Sequence, residues 1–116
     1  EARHVSGCVT GDADDAMSDE LGTDREGVVG EELEHLGYEP EDLGAAEENP
    51  DDDYPDYAHP LAGEISRGEA KRGILLCGSG IGVDIVANRY PHVRAALAWA
   101  PKIAELSRQH NDSNVL

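Results

Sequence analysis

Cys77 is followed by Gly-Ser-Gly-Ile-Gly, so the segment Cys77–Gly82 joins a thiol to a chain with glycine at every second position. Gly78, Gly80 and Gly82 permit a tight turn that presents bare N–H groups, because glycine pays no Cβ penalty at unusual φ/ψ. Ahead of the thiol stands the apolar run Ile74–Leu76, and behind the glycines VDIVANR reads as the first turns of a helix. A strand, a glycine loop and a helix start converge on an anion site, where unpaired amides meet the positive end of the helix dipole. A thiol in such a setting loses its proton more readily than a free one. Cys77 is therefore a candidate base or nucleophile, and Gly78, Ser79, Gly80, Ile81 and Gly82 form a candidate oxyanion cradle beside it. A glycine-rich turn alone is more often only a turn. Here the preceding cysteine and the helix that follows favour a functional one. The spacing G-x-G-x-G is not a dinucleotide fingerprint, and no Lys-Ser/Thr pair makes a phosphate-binding P-loop.

A second polar constellation, Ser107–Asn114 (SRQHNDSN), stands at a helix end that leads into a strand, apart from the glycine loop. By itself a histidine there complements the helix dipole, and a run of Asn, Asp and Ser makes a turn. The five histidines are scattered, and none pairs with a ligand at zinc-motif spacing, so no metal site is expected.

The elements that must position these groups follow from periodicity. His4–Thr10 reads as a first strand. Gly11–Asp24 reads as an acidic loop or frayed helix start. Glu26–Leu36 reads as a helix with Val29, Leu33 and Leu36 on one face, stopped by Gly37. Tyr38–Leu43 is a short strand whose Pro40 assigns it to a sheet edge. Gly44–Asp53 is an acidic, proline-containing loop. Pro55–Arg67 is a helix with Tyr57, Leu61 and Ile65 on one face, and Pro60 should kink it or delay its start. Ile74–Cys77 is a buried parallel strand, Val83–Arg89 a helix, and Val93–Trp99 a second parallel strand. Pro101 opens a further helix through Ile103 and Leu106, and Val115-Leu116 begins another strand. Strands alternating with helices imply an α/β fold with a mainly parallel sheet and right-handed crossovers. Ligands in such sheets bind beyond the carboxyl ends of the strands, where Cys77 and Trp99 both fall. The 116 residues make one domain, 1–116. The chain lacks an initiator Met and its end falls inside a strand, so a C-terminally truncated domain is expected.

Charge divides the chain. The first 57 residues carry 20 acids and two arginines, and the remainder five acids and seven bases. The acidic half repels nucleic acid and anionic membranes, so neither is expected as a partner. Its ordinary reading is a solvated surface; adaptation to salt would spread over the whole chain. No apolar run spans a membrane and no signal-peptide pattern opens the chain. Cys8 and Cys77 do not make a disulfide framework, and a reducing cytoplasm is the expected setting.

Taken together, GILLCGSGIGVDIVANR, VRAALAW and ELSRQHNDSNVL resemble the type-B ribose-5-phosphate isomerases and their galactose-6-phosphate isomerase relatives. DDDYPDYA at Asp51–Ala58, which contains Tyr54, and GYEPEDLG at Gly37–Gly44 fit the same family, so the likeness runs from Gly37 to Leu116. The resemblance implies a Rossmann-like three-layer sandwich. It implies an aldose–ketose isomerase that works on a phosphorylated sugar through a cis-enediolate, with no metal or cofactor. Cys77 lies where the family keeps its proton-abstracting base. Some members lack that cysteine and use a glutamate just after the loop; that position here is Val83, which favours Cys77. His110 lies where the family keeps its ring-opening group, and Asn111 matches a substrate-binding asparagine. Ser79 replaces a threonine often found in the loop whose amides hold the enediolate. Tyr54 is expected at the substrate. A homodimer or a tetramer is implied as well.

Two departures stand out. Extending the alignment back without gaps places Ser18-Asp19-Glu20 at the family's S-D-H turn. That keeps Asp19 as the substrate-binding acid but puts Glu20 in place of a histidine. A gapped alignment uses Asp12 instead. The family's C-terminal phosphate-binding arginines lie beyond Leu116. The favoured expectation is interconversion of D-ribose 5-phosphate and D-ribulose 5-phosphate. The alternatives are an isomerase of another sugar phosphate, of the galactose- or allose-6-phosphate type, a catalytically dead sugar-phosphate-binding domain and, last, a nucleotide-binding module.

Overall fold

The computed structural model describes residues 4–9, 25–44, 53 and 55–116, with the backbone alone for 4–9 and 25–28. Among the described residues three strands form the sheet: β1 (His4–Val9), β2 (Glu39–Asp42) and β3 (Arg72–Leu76). Their order is β2-β1-β3 and both pairings are parallel, with His4 opposite Glu39 and Val5 opposite Arg72. β2 is an edge strand, as Pro40 requires, since its missing N–H cannot serve a central ladder. The fold is α/β.

Between β1 and β2 lies α1 (Arg25–His35). It ends as expected at Gly37, whose φ of 89° closes the helix. The Tyr38 N–H reaches Leu33 O at 2.9 Å and the Gly37 N–H reaches Glu34 O at 3.0 Å, the paired bonds of a Schellman end. Val29 and Leu33 are half-buried. Leu36, expected on the same face, lies past the last helical residue and is 56% exposed.

α2 (Pro55–Ser66) starts at Pro55 and runs through Pro60, so the proline neither delays nor divides it. Its buried face is Ala58, Leu61, Ala62 and Ile65, packed over β1 and β3. Gly73 makes that approach possible. A Cβ there would stand 2.7 Å from Leu61 Cδ2, inside any tolerable contact. Leu61 is fully buried as a result, and Leu75, Val83, Ala87, Val93 and Val115 complete the core around it.

α3 (Ile81–Ala87) begins two residues earlier than periodicity suggests, because Gly80 at φ 77° serves as its N-cap. α4 (Pro101–Asn111) opens with Pro101 in its first turn, as expected.

The second parallel strand expected over Val93–Trp99 does not form as a strand. Only Ala95 bridges, to Val115, and Val115 also bridges to Gly73. Asn114–Leu116 therefore lies between β3 and the Ala95 segment, parallel to both. The outer side of Ala95 is taken by a side chain. Asn88 closes on Ala95 with its amide, Oδ1 accepting from the Ala95 N–H at 2.9 Å and Nδ2 donating to Ala95 O at 3.0 Å. That takes both main-chain groups on one side of Ala95 and leaves its pairing to the short Asn114–Leu116 segment.

Candidate active site

β3 delivers Cys77 to the carboxyl edge of the sheet. Its apolar residues are drawn into the interior, and the chain emerges at Cys77, which is half-buried with a free thiol packed against the core. Gly78 and Ser79 follow on the surface. A Cβ on Gly78 would meet nothing within 4 Å, so the space over Gly78, the residue after the thiol, is open. Ser79 Oγ accepts the Ile81 N–H at 3.3 Å, which folds the loop back on the helix start. Gly80 is under the tightest constraint: its φ of 77° suits glycine, and a Cβ would stand 2.6 Å from Leu97 Cδ1. Beyond it the Asp84 N–H bonds to Gly80 O at 3.2 Å. Of the amides before it, that of Ile81 is met by Ser79 Oγ, and those of Gly82 and Val83 belong to a first helical turn, which has no acceptors of its own. Cys77, Gly78, Ser79, Gly80, Ile81 and Gly82 are thus brought together as the spacing requires. They offer a thiol, a run of main-chain donors and open space.

Asp84, which sequence reading passes over, sits one helical turn after Gly80. Its Oδ1 is buried with no hydrogen-bond partner among the described residues. It faces a cleft walled by Leu75, Val83, Leu97 and Val115. Burial pushes its carboxyl above the ordinary aspartate range, and the Asn88 amide pulls weakly the other way. No local pattern in the sequence marks a lone acid facing an apolar cleft.

His110 and Asn111 stand elsewhere. α4 feeds Asn114–Leu116, and the Gly73 N–H donates to Asn114 O at 2.9 Å. The end of α4 therefore lies at the amino edge of the sheet. Cys77 lies at the other edge, about 13 Å along β3 from Gly73 at the ordinary strand rise. Within this chain His110 and Cys77 therefore stand at opposite edges of the sheet.

The amino edge is held by side chains. Arg94 Nε donates to Asn111 O at 2.7 Å. Asn114 Oδ1 accepts the Arg94 N–H at 2.8 Å, and its Nδ2 donates to His92 O at 2.8 Å. Asp112 turns the chain at φ 50°. Arg108 braces that turn through Asp112 Oδ1 at 3.0 Å and through the Ser113 carbonyl. Beneath it Ser107 and Ser113 share a buried hydroxyl contact of 2.7 Å. His110 and Asn111 themselves are exposed.

Asp19, Asp12 and Tyr54 lie outside the described residues. Among the described residues no group of three His, Cys, Asp or Glu side chains could hold a metal ion. Nor is any helix among them long and apolar enough to cross a membrane. Large apolar side chains crowd the surface around the glycine loop: Ile81 and Ile85 are each 54% exposed and Trp99 75%.

Known proteins resemble this chain in sequence and in fold. The model of the ribose/galactose isomerase family matches residues 16–116. A probable ribose-5-phosphate isomerase B of Mycoplasma pneumoniae is 43% identical over 99 residues, which are 85% of this chain and 65% of that protein. Ribose-5-phosphate isomerase B of Escherichia coli is 50% identical over 64 residues, 55% of this chain and 43% of that protein. The chain thus spans less than two thirds of the length of these curated relatives. A crystal structure of a ribose 5-phosphate isomerase of Thermotoga maritima superposes with a TM-score of 0.80 at 40% identity, covering 100% of this chain and 73% of that one. The enzyme of Mycoplasma genitalium, solved with ribulose-5-phosphate bound, gives a TM-score of 0.82 at 31% identity, covering 100% and 72%.

Proposed function

This chain belongs to the ribose/galactose isomerase family, and we propose that the complete protein interconverts D-ribose 5-phosphate and D-ribulose 5-phosphate. The observation that carries the proposal is Cys77 at the end of β3, with open space over Gly78 and ahead of a glycine loop whose Gly80 adopts a left-handed conformation. On this reading the domain is a Rossmann-like three-layer sandwich and the reaction is cytoplasmic.

The chemistry follows from the groups present. In the open-chain aldose the proton on C2 is made acidic by the C1 aldehyde. The Cys77 thiolate removes it, and the electron pair moves toward O1 to give an enediolate. Charge that develops on oxygen falls to the Gly78–Gly82 amides, which are fixed before the reaction and need no reorganisation. The proton returns at C1, O2 loses its proton to O1, and C2 becomes the ketone. A base placed beside such a cradle gives the step both a proton acceptor and a seat for the negative charge.

Ribose 5-phosphate is chiefly a furanose, so ring opening must come first. We assign it to His110, with Asn111 binding the sugar. Both lie at the opposite sheet edge from Cys77, so they act on a substrate held by a second copy of the chain. A homodimer with each site shared between protomers is the simplest assembly that joins the two edges. The exposed Ile81, Ile85 and Trp99 around the loop supply an apolar surface for such a partner to cover. Asp19 and Tyr54 are proposed to contact the substrate.

The test is turnover of ribose 5-phosphate by the complete protein in deuterated water. Ribulose 5-phosphate carrying solvent deuterium at C1 supports the enediolate route with a base that exchanges its proton. Turnover of a six-carbon aldose phosphate with none of the pentose would move the proposal to another substrate of the family.

A further inference from the structure

Arg94 is bound on both sides of the turn that carries His110 and Asn111. Its side chain donates from Nε to Asn111 O, the carbonyl of the last helical residue of α4, at 2.7 Å. Its main-chain N–H donates to Asn114 Oδ1 at 2.8 Å, and its carbonyl accepts the Asn114 N–H at 2.9 Å and the Val115 N–H at 3.3 Å. Between these two anchors the chain passes through Asp112 at φ 50°, a conformation that aspartate adopts only at some cost. The last carbonyls of a helix have no intrahelical donors. Asn111 O gains one here from a residue 17 positions earlier in the chain. That donor is cationic, which doubles its value at the negative end of the helix. Arg108 braces the other side of the same turn through Asp112.

We infer that Arg94 is a positioning residue for the ring-opening half of the site: it fixes the end of α4 so that His110 and Asn111 face a substrate held on the partner's glycine loop. The inference rests on the proposed role of His110. It goes beyond that role in assigning the geometry of His110 to a residue on a different segment. Arg94 touches no reacting atom. It acts through Asn111 O, and the in-plane Nε–H of a guanidinium is suited to this where a lysine ammonium, a flexible point charge, is not.

The experiment compares two substrates in the complete protein. One is ribose 5-phosphate, which must be opened; the other is its 4-deoxy analogue, which has no O4 hydroxyl and cannot close a furanose. Arg94→Met keeps the aliphatic stem and removes the donor. It should lower kcat on ribose 5-phosphate on the order of 10- to 100-fold, the scale of a displaced catalytic group. The kcat of the 4-deoxy analogue should stay within about twofold, since proton abstraction by Cys77 is untouched, while KM rises for both substrates through the displaced Asn111. Arg94→Lys, which keeps the charge, should give the same pattern in milder form, and it serves if the methionine variant does not fold. The His110 ring resonances, followed in protein labelled at histidine, should shift and broaden in both variants. Equal losses on the two substrates, or no loss on ribose 5-phosphate, would overturn the positioning role. His110→Asn is run beside them. If it discriminates between the two substrates and the Arg94 variants do not, the inference on Arg94 falls and the role of His110 stands. If His110→Asn fails to discriminate, the ring-opening assignment falls, and the inference with it.

Discussion

At the carboxyl edge of the sheet, Cys77–Gly82 works with its main chain: three glycines, one thiol, and a serine hydroxyl whose bond serves the loop itself. At the amino edge Arg94, Arg108 and Asn114 work with side chains: Arg94 and Asn114 each bond a backbone group of the other's segment, and Arg108 bonds Asp112 and the Ser113 carbonyl within its own turn. The first arrangement demands particular φ/ψ values and little side-chain chemistry. The second holds two non-glycine residues at positive φ, His92 and Asp112, and demands specific donors to brace them. A cradle for a developing oxyanion is best made of main-chain amides because they cannot rotate away. A group proposed to reach into a partner's site is best held on a braced turn. The contrast fits a division of labour, with carbon-acid chemistry at one edge and delivery of the ring-opening group from the other.

The contrast breaks first at Cys77. Cys77→Ala should lower kcat by at least ~100-fold with folding intact, the cost of losing a general base. Steady-state rates with circular dichroism on the same sample check it, and near-normal turnover would remove Cys77 from the base position. His110→Asn should cost about 10- to 100-fold on ribose 5-phosphate and little on an open-chain substrate, since the loss is confined to ring opening. A uniform loss would merge the two edges into one function.

Gly80→Ala tests the main-chain character of the loop. A side chain at φ 77° with Leu97 Cδ1 at 2.6 Å forces both strain and displacement. Such strain costs on the order of 1–3 kcal/mol, to be read from the urea midpoint, with a fall in kcat at unchanged thiol reactivity. Unchanged stability and rate would mean that the loop conformation is not required.

The smallest effect is expected at Asp84. Burial raises its folded pKa above the unfolded value, so protonated Asp84 favours the folded state and that advantage is lost as pH rises through the raised value. Asp84→Asn removes the penalty of the ionised form. The variant should melt slightly higher than the parent above the raised value, and the two should converge below the ordinary carboxylate range. A parent that is the more stable of the two at high pH would mean that its buried Oδ1 finds a donor there.

Much of this could be read from residues alone. Ile74–Gly82 announces a strand, a loop and a helix start because an apolar run meets alternating glycines, and the structure has all three. Gly37 and Pro101 mark a helix end and a helix start through their own backbone chemistry. Val93–Trp99 misleads because an apolar run reports burial and not pairing; the amide of Asn88, seven residues before Ala95, takes the outer side of that residue, the inner side pairs only with Asn114–Leu116, and no periodicity carries that. The separation of His110 from Cys77 is a property of connectivity. A residue at the end of a helix that feeds a parallel strand must lie at that strand's start, and a residue that follows a strand must lie at its finish. Arg94 gives no local signal, since its partner at Asn111 is known only once Asn114–Leu116 is seen beside Ala95.

The central claim is that the two edges meet between protomers, and complementation tests it most directly. Cys77→Ala and His110→Asn chains of the complete protein are co-expressed with different tags, and the mixed assemblies are assayed on ribose 5-phosphate. In a shared site, the intact Cys77 of one chain meets the intact His110 of the other. A random mixture of dimers should then recover about a quarter of the parental activity, half the dimers holding one whole site of two. If each protomer uses its own Cys77 and His110, every site in the mixture is damaged. Activity no higher than the average of the two variants would contradict the account.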